Sequence, residues 1–121
     1  GDIQLTTAQR IPVNGAVVVS TPSALAQADV RRARAMFEKT NVPVLGLVEN
    51  MAFMTAPDGT RMYPFGNPGN NALMSLPLDA EIHAAAETGV PVVIDAPQSA
   101  AARTFGELAL KLIELLEGTK T

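Results

Sequence analysis

The polar residues of this sequence that could do chemistry stand where apolar runs stop. Ser20-Thr21-Pro22 follows "AVVV", Glu49-Asn50-Met51 follows "VPVLGLV", and Pro77-Leu78-Asp79 follows "ALMSL". An asparagine amide carries an acceptor and a donor side by side, the arrangement that matches N6 and N7 of adenine. No helical pattern begins after Asn50, so its amide has no helix to cap. Two readings of it stand, a base reader or a structural amide satisfied by neighbouring backbone. Thr21 and Asp79 do precede helical patterns, and capping is the commoner use of such residues.

Other chemistries are excluded by composition. The chain has no cysteine, which removes disulfides, thiolate nucleophiles and sulfur-ligated clusters built from this chain alone. With one histidine, His83, and no carboxylates at ligand spacing, no metal site is expected. Met51, Met54, Met62 and Met74 read as packing, because thioethers alone bind few metals other than Cu(I). The net charge of -3 and the pI near 5.0 argue against a nucleic-acid or polybasic membrane surface. Arg31, Arg32 and Arg34 are the one basic cluster, and they fall on a helical pattern as a solvated face. No run reaches the roughly 20 apolar residues of a membrane span, and no signal peptide is visible. A soluble protein of a reducing compartment, the cytoplasm, is expected.

The elements that must position these residues follow from hydrophobic periodicity. Phe105, Leu108, Ala109, Leu112, Leu115 and Leu116 lie on one helical face, with Ser99 as N-cap and Gly118 as stop. Ala26, Val30, Ala33 and Phe37 mark a second helix, with Thr21 as cap and Pro22 at its first position. A shorter helix is predicted from Asp79 to Gly89, and a fourth over residues 2–10. Strands are predicted at Ala16 to Val19, Val42 to Val48, Leu73 to Leu76 and Val92 to Ile94. Continuous apolar strands alternating with helices imply an α/β fold with a mainly parallel sheet, covered on both faces. Ligands of such sheets sit at the carboxyl ends of strands, so the three polar endings would share one rim. The link from Asn50 to Leu73 lacks helical periodicity, although parallel crossovers usually carry a helix. Its segment "FMTAPDGTRMYPF" reads as a small hairpin around a Pro-Asp-Gly turn.

In order along the chain, "GDIQLTTAQRIPVNGAVVVSTP", "VPVLGLVENM", "FG", "LPLDAEIHAAAETGVPVV" and the helix after "DAPQSAAARTF" resemble the carboxyl-terminal half of the Mrp/ApbC family. Members are P-loop ATPases related to MinD that carry iron–sulfur clusters. The resemblance covers nearly the whole chain. It implies a partial P-loop NTPase-like, doubly wound sheet with flanking helices and a small hairpin insertion. Residues 1–121 would then be a single domain, the C-terminal part of a larger nucleotide-binding domain. The implied cofactors are ATP and Mg²⁺. Asn50 would read adenine, and Pro77, Leu78 and Asp79 would wall the other side of the base. Asp2 would match the tail of the loop that senses the γ-phosphate and Mg²⁺, although fraying is expected at this position. The complete protein would be a homodimer working with iron–sulfur scaffold or apo-target proteins.

The sequence departs from the family pattern in three places. No G-x-x-x-x-G-K-[ST] is present, and the nearest string, "EGTKT", lacks the first glycine and a following helix. With no P-loop lysine or Walker-B acid, ATP hydrolysis is not expected of this chain alone. The family's Cys-x-x-Cys would fall in the hairpin, where this sequence has Thr55-Ala56-Pro57-Asp58-Gly59, which cannot ligate iron as thiolates do. Family members place a Gly-rich turn and a helix between "FG" and the strand before "PLD". Without that helix, Leu73 or Met74 is expected to lack cover. The reading favoured is the C-terminal portion of an Mrp-like iron–sulfur carrier, supplying the adenine-side wall and part of the dimer surface. The alternative is a non-catalytic α/β interaction domain that has lost its nucleotide; an unrelated flavodoxin-like module has no phosphate loop to support it.

Overall fold

A computed structural model of the chain describes residues 12–66 and 72–119, together with Thr6 and Arg10. Its elements are β1 (Ala16–Ser20), α1 (Ala24–Lys39), β2 (Val44–Thr55), β3 (Arg61–Met62), β4 (Met74–Pro77), α2 (Ala80–Thr88), α3 (Val92–Asp95) and α4 (Ala100–Thr119). The architecture is α/β with a mainly parallel open sheet and flanking helices. β2 is central: β1 and β4 pair with it in parallel on either side, and β3 pairs with its far end as an antiparallel hairpin. The predicted helix over residues 2–10 lies outside the described residues.

The β-branched run of β1 and the apolar first half of β2 form strands that bury one face against α1, whereas Val19, on the other face of β1, is 59% exposed rather than covered as the sequence predicts. Val18, Val30 and Leu47 are the buried centre of that contact, with Ala33, Phe37 and Val44 around it. α1 begins one residue pair later than its sequence suggests. Ser23, not Thr21, is the N-cap, and its hydroxyl accepts from the Ala26 N–H at 3.3 Å. Thr21 instead shares a hydroxyl–hydroxyl bond of 3.2 Å with Ser23, and Pro22 stays outside the helix. The helix ends where Thr40 donates back to the Met36 and Phe37 carbonyls and Asn41 turns left-handed at φ 57°.

A second cluster joins the last three helices. Ala85, Val92 and Ala101 are buried there, with Ile82, Ala96 and Phe105 packed around them. α2 has the cap and stop read from its sequence: Asp79 accepts from the Glu81 N–H at 2.7 Å, and Gly89 closes it at φ 76°. Val92 to Ile94, expected as a strand, is instead the single-turn helix α3. Pro91 holds extended φ/ψ, and its carbonyl accepts from both Ile94 and Asp95 at 2.9 Å. A three-residue apolar run cannot distinguish strand from buried helix by periodicity, and the neighbours of Val92 are helices. α4 starts from the expected cap, Ser99, whose hydroxyl accepts from the Ala102 N–H at 3.1 Å. It runs through Gly118 to Thr119, so Gly118 is not its stop.

β4 begins at Met74 rather than Leu73, and the described residues between β3 and β4 hold no helix. Leu73 and Met74 are nonetheless half-buried. Leu73 lies over Gly46, where a built Cβ would come within 2.4 Å of Leu73 Cγ. Its backbone is tied twice, the N–H to the Leu47 carbonyl at 2.8 Å and the carbonyl to Lys111 Nζ of α4 at 2.9 Å. The C-terminal helix therefore supplies cover that the sequence expected to be missing.

Candidate functional site

The rim is set by the register of three strands. Ser20 of β1 lies opposite Glu49 of β2, and Glu49 lies opposite Ser75 of β4. This row crosses the sheet at one level, with Glu49 at its centre and only 2% exposed. A carboxyl group so placed is a polar feature of the interior, next to the first residue of the candidate site.

β2 does not stop there, contrary to the expectation that its apolar run ends on Glu49-Asn50. The strand continues through both residues to Thr55, but its ladder with β4 breaks. From Glu49 to Phe53 the chain takes four steps, while its partner takes two, from Ser75 to Pro77. The excess is absorbed at Asn50, Met51 and Ala52, and Met51 is left-handed at φ 52°. A bulge of this kind lifts backbone and side chains out of the regular alternation, and bulges recur beside functional sites. A non-glycine residue with positive φ is uncommon enough to call for a cause. Here the Asn50 side chain helps: Oδ1 accepts from the Met51 N–H at 3.0 Å. That bond fixes the amide, so that its nitrogen and the second lone pair of Oδ1 remain as its other hydrogen-bonding groups.

The segment after β4 is held against the same bulge. Leu78 donates from its backbone N–H to the Phe53 carbonyl at 2.7 Å, which extends the β2–β4 pairing past Pro77. Asn50 thus falls between the two rungs, Glu49–Ser75 and Phe53–Pro77, that bracket the last residues of β4. The side chain of Leu78 is 40% exposed, an apolar surface of the size that can lie against a flat ring. Asp79 is half-buried, and its carboxylate is engaged as the α2 cap. Of the residues read from the sequence, Asn50 and Pro77 lie on the neighbouring strands β2 and β4, Leu78 and Asp79 on the link from β4 to α2, and Asp2 lies outside the described residues.

Beyond the bulge, β2 and β3 form the expected hairpin, with Met54 opposite Met62 and Thr55 opposite Arg61. Its turn is built as the Pro-Asp-Gly string requires: Gly59 sits at φ 90°, and the Asp58 carboxylate accepts from the Thr60 N–H at 2.9 Å. That hydrogen bond lowers the Asp58 pKa below its ordinary value. Two features of this region escape sequence reasoning. The Arg61 guanidinium lies 4.1 Å from the Phe53 ring centroid, and Lys111 reaches Leu73 from 38 residues away. The first could have been found from the two-residue hairpin ladder; the second has no local signal.

The residues present can be tested against the groups that the sequence resemblance implies. The hairpin turn offers hydroxyl, methyl and carboxyl groups and no thiolate, so it does not fit as a cluster ligand set. Among the described residues, no three His, Asp or Glu side chains gather into a metal-holding group. A cavity of about 510 Å³ exists elsewhere, between α2, α3 and α4, but Ile82, Ala85, Val92 and Phe105 line it and it offers no convergent polar groups. No helix among the described residues is long and apolar enough to cross a membrane.

Comparison with known proteins bears on this rim. Residues 1–113 match the family model described as ParA, NUBPL iron-transfer P-loop NTPase. An iron-sulfur cluster carrier protein of Aquifex aeolicus is 40% identical, over 97% of this chain and 35% of its own length. The iron-sulfur cluster transfer protein NUBPL of Dictyostelium discoideum is 38% identical, over 97% of this chain and 39% of its own. The chain thus spans little more than a third of the length of these relatives. Among solved structures, a nucleotide-binding protein of Archaeoglobus fulgidus in complex with ADP is 38% identical with a TM-score of 0.61, covering 74% of this chain and 41% of its own.

Proposed function

Since the chain belongs to the NUBPL iron-transfer P-loop NTPase family, we propose that the bulged rim of β2 and β4 forms the base-side wall of an adenine nucleotide site. These residues would be the C-terminal part of a larger nucleotide-binding domain. Its phosphate-binding half carries the P-loop, the Mg²⁺ ligands and the hydrolytic chemistry, for which this chain holds no lysine-bearing phosphate loop. The complete protein would hydrolyse ATP, pair with a second subunit in the cytoplasm and pass iron–sulfur clusters, as cargo, between scaffold and apo-target proteins. Cysteines for that cargo must come from outside these residues.

The observation that carries the reading is Asn50 on a strained bulge beside the Pro77–Asp79 segment. The bond to the Met51 N–H orients the amide before any base arrives, so little side-chain freedom is lost on binding. Asn50 would donate and accept along the edge of adenine, while Pro77 and Leu78 supply flat apolar contact. Asp79, through its cap of α2, holds that segment in place.

The experiment is a nucleotide titration with Asn50→Ala in a polypeptide that joins these residues to a phosphate-binding half. Discrimination between ATP and GTP should fall by about 1–3 kcal/mol, the worth of one good bidentate base contact. Unchanged discrimination would make Asn50 a structural amide. The 121-residue chain alone should bind ATP weakly or not at all, and submicromolar affinity with turnover would refute the division of labour.

A second reading is favoured by one specific observation. The Asn50 amide oxygen is already satisfied by backbone, and the Asp79 carboxylate already caps a helix. Both are what a non-catalytic interaction domain would retain for structure alone. The same titration separates the two.

A further inference from the structure

The sequence contains one Asn-Gly pair, Asn14-Gly15, and one Asp-Gly pair, Asp58-Gly59. Both carry a covalent chemistry of their own. Glycine has no Cβ to shield its peptide nitrogen or restrict its backbone, so that nitrogen can attack Cγ of the residue before it. The attack closes a succinimide ring. At an asparagine the amide C–N bond breaks and ammonia leaves, taking up the glycine N–H proton. At an aspartic acid the hydroxyl leaves as water in the same way. Water then opens the ring at either carbonyl. One opening gives an ordinary aspartate, and the other leaves the main chain running through the former side-chain carbonyl.

The structure treats the two pairs differently. Asp58-Gly59 is tied at both reacting groups. The Asp58 carboxylate accepts from the Thr60 N–H at 2.9 Å, and the Gly59 N–H, whose nitrogen would attack, donates to the Ala56 carbonyl at 2.9 Å. The lowered pKa of Asp58 acts in the same direction, because the acid loses water and the carboxylate does not. Asn14-Gly15 has neither tie. Asn14 stands in an exposed bend ahead of β1, and no hydrogen bond among the described residues engages its side chain or the Gly15 N–H. Packing accounts for the glycine: a Cβ at position 15 would come within 2.9 Å of Leu45 Cγ and 3.0 Å of its Cδ2. The contact between β1 and β2 thus favours the one residue that leaves Asn14 labile.

We infer that Asn14 is a site of spontaneous deamidation in the folded chain, and that Asp58 is shielded from the corresponding isomerisation by the bonds of its turn. The reaction asks for no free face and no partner, since the attacking atom belongs to the next residue and water is the only outside reactant. Its product adds a negative charge at the amino end of β1, the end of the strand opposite the Asn50 rim. In the β-linked form the main chain also gains a methylene group just before Ala16, whose N–H is bonded to the Pro43 carbonyl at 2.9 Å.

The test compares the 121-residue chain with two peptides, residues 11–18 and 55–62, incubated together at neutral pH. Peptide mapping by mass spectrometry follows the replacement of NH₂ by OH at Asn14, and chromatographic splitting of the Asp58 peptide follows isomerisation. Asn14 should convert at no less than about a tenth of its peptide's rate, because a segment without hydrogen bonds opens at little cost. Asp58 should isomerise at least about tenfold more slowly than its peptide, because two hydrogen bonds must break first. Urea should bring both sites to their peptide rates. An Asn14 more than about tenfold slower than its peptide overturns the inference. So does an Asp58 that falls short of its protection, or one whose protection survives urea.

Discussion

Replacing Gly46 by alanine tests the tie between the central strand and the segment that enters β4. A Cβ at this position would stand 2.4 Å from Leu73 Cγ, 2.5 Å from Cδ1 and 3.1 Å from Cδ2. Carbon atoms in ordinary contact are about 3.5–4.0 Å apart, so Leu73 must withdraw by about 1 Å or more. It cannot do so by sliding its backbone. The N–H is bonded to Leu47 and the carbonyl to Lys111, so the peptide groups on both sides of the residue are held. The side chain must leave its preferred rotamer or the β4 entry must give up one of these bonds. Overpacking of this kind destabilises by about 1–3 kcal/mol. For a chain of this size, that corresponds to a fall in Tm of about 4–12 °C. Urea melts followed by circular dichroism would measure it, and Leu73→Ala in the same background would identify the cause. Alone, Leu73→Ala removes a half-buried leucine and should cost about 1–2 kcal/mol. The two changes together should cost less than their sum by at least about 1 kcal/mol, because the alanine at 73 vacates the space that the new methyl needs. Additive effects, or a Gly46→Ala chain within about 0.5 kcal/mol of wild type, would refute the packing argument.

Two further tests address the capping and turn geometry. Gly89→Ala puts a Cβ on a left-handed residue with no neighbour within 4 Å, so the loss of about 1–2 kcal/mol in a thermal melt is backbone strain alone; Gly89→Asn should lose less. Asp58 has its pKa lowered by the Thr60 N–H, so its contribution to the hairpin is present above the ordinary value of 3.8 and is lost as pH falls through the lower folded value. The Thr60 amide resonance should therefore titrate with a midpoint below 3.8, and a midpoint at or above it would contradict the bond.

What could be read from the sequence was whatever has a local cause. The helices α1 and α4 follow from 3.6-residue periodicity, α2 from the Asp79 cap and the Gly89 stop, and the Ser99 cap from its position ahead of the α4 pattern. The hairpin follows from Pro57-Asp58-Gly59. Errors fell where tertiary partners decide. Val92 to Ile94 is helical because it packs among helices, and its sequence is equally suited to a strand. The Thr21 and Ser23 hydroxyls are both capping groups, and only backbone geometry chooses Ser23. The sequence predicts that β2 ends at Val48, where polarity rises, yet the strand runs through Glu49 and Asn50 and the ladder with β3 draws it on to Thr55. The composition of the rim was legible residue by residue, but the bulge that shapes it was not. It arises from a mismatch of two strands, which no single stretch of sequence contains.

That mismatch has a consequence for how the chain can change over time. An ordinary strand transmits every insertion or deletion along its length, since a one-residue slip exchanges its two faces. The left-handed step at Met51 interrupts that transmission. The five rungs shared with β1 lie wholly before it, and the hairpin ladder of Met54 and Thr55 lies wholly after it. The hairpin ladder is therefore set apart in phase from the β1 ladder, with Phe53 and its Pro77 rung as the link to β4, and the residues at the hairpin tip can be exchanged as a cassette. A lineage could carry a cysteine pair there, or the Thr-Ala-Pro-Asp-Gly of this chain, while the buried strands beneath keep one phase.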